Sequence, residues 1–172
     1  SYHNKSNFHE SQLCNGLLRG LCPASLGAVK CDYLDFSLSA AIFERQDHTF
    51  RKMMSKHIQC PIDVGKIRLI LSGVFNFLRI VHEAVEDRGA QLSDLHTSNL
   101  ALSNDFQVLL IDVENCGART PSSKTKRQAA NSAIASFESS LKIDIKACHE
   151  SWGHVLETIS SMLEQWSVSY TH

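Results

Sequence analysis

Leu92-Ser93-Asp94-Leu95-His96-Thr97-Ser98-Asn99 and, farther along, Ile111-Asp112-Val113-Glu114 form the stretch on which the fold turns. An acid stands five residues before an amide, and a second acid follows thirteen residues after that amide. Between them, residues 100–102 and 107–111 read as two short strands joined by Ser103-Asn104-Asp105-Phe106, a turn composition. Upstream, Ile67, Ile70, Leu71, Val74, Leu78, Val81 and Val85 recur at helical spacing over residues 64–88. Leu69, Phe75, Phe77 and Ile80 widen that stripe, which predicts a central, well-buried helix. Asp63 suits its N-cap and Gly89 its C-terminal end.

A long helix, a loop with an acid and an amide, a hairpin and a second acid have a mechanical use together. Phosphoryl transfer needs a carboxylate to orient the attacking hydroxyl, and oxygen ligands to hold Mg²⁺ against the nucleotide phosphates. The loop presents the first acid and the amide, and the hairpin returns the second acid to the same metal. The spacing resembles the catalytic loop and metal-binding segment of the protein-kinase-like fold, D-x-x-x-x-N followed by the Asp of D-F-G. On that resemblance Asp94 matches the catalytic base, and Asn99 and Asp112 match metal ligands. Asp94-Leu95-His96-x-x-Asn99 is more similar to the atypical branches, among them aminoglycoside and choline kinases and the secreted, cysteine-rich divergent protein-kinase-domain family. Ser151-Trp152-Gly153, opening an apolar helix, resembles the kinase helix that anchors the catalytic loop from below.

The chain departs from that pattern in several places. Leu92 stands two residues before Asp94, where kinases carry His, and Val113-Glu114 replaces Phe-Gly. No A-P-E and no G-x-G-x-x-G occurs. Only 93 residues precede Asp94, too few for a full N-terminal lobe. Gly27-Ala28-Val29-Lys30 offers a phosphate-pairing Lys30, with Glu44 as its helical partner. Alternatively Cys31-Asp32-Tyr33-Leu34-Asp35 is the hinge, and Lys30 an ordinary surface lysine.

Composition sets the outer bounds. The 172 residues are 43% hydrophobic and 20% charged, which excludes wholesale disorder. A formal charge of −1 argues against nucleic acid as partner. No apolar run approaches the ~20 residues that span a bilayer. A chain opening Ser1-Tyr2-His3 without Met is expected to be processed or a piece of a longer one. Six cysteines, Cys14, Cys22, Cys31, Cys60, Cys116 and Cys148, without a CxxC pair, suit disulfides in an exported protein. Asn4-Lys5-Ser6 is a glycosylation sequon. His149 and His154 miss the HExxH spacing and read as surface or capping residues.

The expected fold is α+β and mainly helical, a kinase-like C-terminal lobe with a short β-hairpin after the catalytic loop. Residues 1–36 are expected to be a polar segment, loose over 1–12 and with a strand over 28–36. Residues 37–172 form the lobe, with helices over 37–57, 64–88, 129–141 and 152–166, and a polar loop over 117–128. Function is expected to be that of a secreted binding or scaffold module, more pseudokinase than enzyme. It takes a protein partner or a second copy on the face an N-terminal lobe normally covers, and holds no cofactor alone. The alternatives are an active atypical kinase using Mg-ATP with Asp94 as base, and an unrelated helical exported protein.

Overall fold

The computed structural model describes residues 6–33, 36–46, 49–55, 62–120 and 125–169. In chain order the elements are α1 (Ser6–Asn15), β1 (Ser25–Tyr33), β2 (Phe36–Phe43), α2 (Phe50–Met54), α3 (Val64–Glu86), β3 (Ala90–Gln91), β4 (Leu100–Leu102), β5 (Val108–Leu110), β6 (Gly117–Ala118), α4 (Lys126–Ala147) and α5 (Glu150–Ser169). The architecture is α+β, about half helical, and the strands form three two-stranded antiparallel pairs among the described residues.

The apolar stripe after Asp63 folds as expected. Asp63 caps α3 by accepting from the Lys66 N–H at 2.9 Å, and Gly89, at φ +69, lets the chain leave it. Ile70, Val74, Phe77, Leu78, Val81 and Val85 are buried. Phe77 meets Phe137 of α4 edge-on with ring centroids 6.3 Å apart. Leu69 and Phe75, expected in the stripe, are 51% and 56% exposed, because α3 buries one side only. Gly73 is where α3 touches the turn between β4 and β5: a Cβ there would come to 2.0 Å from the Phe106 carbonyl oxygen.

Four expected elements are corrected. The helix expected over 37–57 is instead β2, then residues 44–46, then the single turn α2 capped by Thr49. Phe36-Ser37-Leu38-Ser39 alternates apolar and polar, and pairing with β1, from Ser25↔Phe43 to Tyr33↔Phe36, satisfies backbone groups that either strand alone leaves open. The strand expected over 28–36 is β1, set three residues earlier. Residues 6–12, expected loose, belong to α1, which inserts Leu13 and Cys14 into the core and lies against both strands. The helix expected over 129–141 runs over Lys126–Ala147, started by a reciprocal cap between Thr125 and Gln128. The division expected at residues 36–37 falls inside the β1–β2 hairpin.

Trp152 is buried edge-on to Phe50 at 6.0 Å, and the partly buried Trp166 packs against His82 at 6.2 Å. His149 caps α5, accepting from the Ser151 N–H at 3.2 Å. No helix among the described residues is long and apolar enough to cross a membrane.

Candidate functional site

Residues 92–99 leave β3 as an irregular loop that tight local hydrogen bonds shape. Asp94 sits at φ +56, a left-handed conformation that Asp tolerates better than most residues. Its carbonyl accepts from the His96 N–H at 2.9 Å and from the Asn99 side-chain amide at 3.2 Å. The Asn99 carbonyl in turn accepts from the Ile111 N–H at 2.9 Å, placing Asp112 one residue beyond the end of that contact. The β4–β5 hairpin, in register Leu100↔Leu110, makes this return possible. Asn99 is therefore tied through its amide to Asp94 and through its backbone to the segment that carries Asp112.

The second acid stands on a matching loop. Asp112 accepts from the Glu114 N–H at 3.3 Å, and Cys116 N–H closes a turn on the Val113 carbonyl at 2.9 Å. Asn115 donates through its side chain to the Asp94 carboxylate at 2.9 Å, while the Ser93 hydroxyl donates to the Asn115 carbonyl. The two loops are stitched together by these bonds, with both carboxylates exposed to solvent. Cys116 lies beneath them. Burial first, then the negative charges of Asp112 and Asp94, push its thiol pKa up.

The loop over residues 92–99 is held from below, and not by the residues expected. Thr97 is fully buried, and its N–H donates to the Ser140 hydroxyl at 3.2 Å. Its own hydroxyl donates to the Asp144 carboxylate. Asp144 also pairs with Arg51 Nε at 3.0 Å, and the Arg51 N–H donates to the Thr97 carbonyl at 3.1 Å. Thus α4 supplies the anchor and α2 completes it, whereas Trp152 packs on Phe50. Thr97, Arg51, Ser140 and Asp144 escaped the sequence reading. A signal existed: Asp144 falls in the same helical register as the apolar Phe137 and Leu141, and an acid there asks for a buried partner.

Beside Asp112 lies a cleft of about 580 Å³, its open mouth included. Glu10 and Cys14 from α1, Pro23, Phe43 and Glu44 from the hairpin, and Leu110, Ile111 and Val113 from the second loop line it. Two of its residues are acidic and, among the described residues, none of those lining it is cationic. No group of His, Cys, Asp or Glu that could hold a metal occurs among the described residues.

Lys30 is not at this site. It lies 54% exposed on β1, paired with Asp32 at 3.5 Å, and it sits opposite Ser39 in the hairpin register. Glu44, expected on a helix as its partner, follows the far end of β2, so the supposed Lys–Glu pair is not formed. None of Cys14, Cys22, Cys31, Cys116 and Cys148 lies at disulfide distance from another. Cys60 and Asn4 lie outside the described residues. Compared with known proteins, the chain matches no family model and no curated sequence.

Proposed function

We propose that the chain is a kinase-like C-terminal lobe of a secretory-pathway protein, serving as a non-catalytic binding or scaffold module. One observation carries this reading: the Asn99 amide bonds the Asp94 carbonyl while the Asn99 carbonyl receives the Ile111 N–H, so acid, amide and second acid share one pair of joined loops. Anchoring of Thr97 by a buried carboxylate on α4 supports it, since a metal and phosphate site depends on rigid positioning. The acidic cleft and the displaced Lys30 support the non-catalytic part, because a triphosphate needs cations or donors that grip it. A partner protein or a second copy would take the exposed apolar side chains Leu26, Val29 and Ile42 of the hairpin.

A second reading, an active atypical kinase, is favoured by Asp94 itself. It is an exposed carboxylate on left-handed backbone, held by Asn115, and such strained positions cluster at working sites. Calorimetry with Mg-ATP decides between the two. The module reading expects no micromolar binding to the wild type. Micromolar binding that Asp112→Ala abolishes would overturn it and install the kinase, with Asp94→Asn then expected to keep binding and lose transfer.

A further inference from the structure

A groove between α2 and the β4–β5 turn is opposite in charge to the cleft beside Asp112. Among the described residues Arg45 and Lys52 line it and no acid does. The two openings adjoin at Gln46, which borders both, and they divide at the end of β2, where Glu44 lines the cleft and Arg45 the groove. Backbone bonds fix the walls. The Glu44 N–H donates to the Ala24 carbonyl at 3.2 Å, which sets the course of the chain into Arg45. An antiparallel bridge between Thr49 and Ala101 ties the start of α2 to β4, and the Thr49 hydroxyl accepts from the Lys52 N–H at 3.2 Å. On the other side the Ser103 hydroxyl donates to the Asp105 carboxylate at 2.6 Å, so the acid of that turn is already engaged. Neighbouring cations of α2 have different fates. Arg51 pairs with Asp144. Lys52 is exposed and has no carboxylate partner among the described residues, although Lys30, Lys66 and Lys142 each pair with a nearby acid. The floor between the cations and the turn is apolar: Leu102 is buried, and Met53 and Phe106 are partly buried against the core.

We infer that this groove docks an extended acidic peptide segment of a partner protein, with aliphatic side chains between its carboxylates. Charge complementarity selects the acids. Lys52 and Arg45 stand on separate segments, so two carboxylates spaced along a chain can each meet a cation. The floor selects the aliphatic side chains, because Met53 adapts its shape to what it covers and Phe106 offers flat apolar area. The amides of Gln46 and Asn104, which also line the groove, can donate to and accept from a peptide backbone. A nucleic acid fits less well. It would bring a phosphate on every nucleotide to only two cations and leave the apolar floor unused. The groove is a second surface, apart from the outer side chains of the β1–β2 hairpin. The inference stands independently of the kinase-like reading, since it uses only the charges and shape of the groove.

The test uses the full chain and a fluorescein-labelled peptide of alternating glutamate and leucine, followed by fluorescence anisotropy. Saturable binding is expected, and it should weaken as salt rises, because exposed charges supply part of the attraction. A peptide of alternating serine and leucine is expected to bind about tenfold more weakly. Lys52→Glu, at an exposed position, is expected to lower affinity for the acidic peptide about tenfold, with circular dichroism to check its fold. A copy of the acidic peptide carrying benzophenone at its central leucine position is expected to label Met53 in the wild type, a result that needs no variant. Absence of saturable binding, equal affinity for the serine peptide, or unchanged affinity in folded Lys52→Glu would each overturn the inference. So would labels confined to the β1–β2 hairpin, or tighter binding of a single-stranded oligouridylate than of the acidic peptide.

Discussion

Gly73 offers one hydrogen atom where any other residue would offer a carbon, and the β4–β5 turn uses the space. A methyl group there meets the Phe106 carbonyl oxygen at 2.0 Å, and Phe106 is itself at φ +62, with little freedom to retreat. Alanine in mid-helix ordinarily stabilises by about 1 kcal/mol over glycine. Here the clash outweighs that gain, and Gly73→Ala is expected to destabilise by about 1–3 kcal/mol in urea denaturation. Asp94 poses the reverse case, a side chain kept on backbone that alanine dislikes. Asn retains both the tolerance for φ above zero and an acceptor for Asn115, so Asp94→Asn is expected to be near neutral. Asp94→Ala is expected to lose about 1–2 kcal/mol in the same assay. Equal losses for Asn and Ala would show that the charge, which both remove, and not the backbone, matters to stability.

Among the elements, α4 has a task beyond packing. Its Asp144 carboxylate, 7% exposed, serves Thr97 and Arg51 together. Asp144→Ala strands a buried hydroxyl and a guanidinium. The full cost of breaking a buried pair is about 3–5 kcal/mol. Arg51 is 44% exposed and partly recovers water, so about 2–3 kcal/mol is expected here. Hydrogen exchange should rise at the amides of residues 96–99 more than elsewhere, and uniform loss of protection would contradict an anchoring role. The elements with a strong period were legible from sequence: α3 through its apolar stripe, and the β4–β5 hairpin through two apolar runs around a polar turn. α1 was hidden because Ser6-Asn7-Phe8-His9-Glu10 has no apolar stripe, and its helical state rests on the strands beneath it. β2 was misread because Ala40-Ala41-Ile42 continues a plausible helix, and only pairing with β1 decides otherwise. At the site, the spacing of Asp94, Asn99 and Asp112 could be read along the chain. The stitching by Ser93 and Asn115 could not, because those bonds join positions whose meeting depends on the finished loops.

At the scale of the molecule, thiol ionisation and stability are linked. Cys22 and Cys116 have thiol pKa values pushed above the ordinary 9.0, so their contribution is complete below 9.0 and lost as pH rises through the folded values. Cys14 shifts downward and opposes this above 9.0. The reduced protein should therefore weaken as pH rises above about 9, and Cys116→Ala should flatten the decline. The β1–β2 hairpin carries a different consequence. Its strands pair only with each other among the described residues, and Leu26, Val29 and Ile42 stand 70%, 51% and 44% exposed. Such an edge is a template for cross-β growth, and charges on it are what oppose stacking. Lys30 and Asp32 carry those charges on β1. In concentrated protein held near its melting temperature, Lys30→Val should shorten the lag before fibrils bind thioflavin. Lys30, a doubtful phosphate clamp, then acts as the guard that keeps this chain from polymerising.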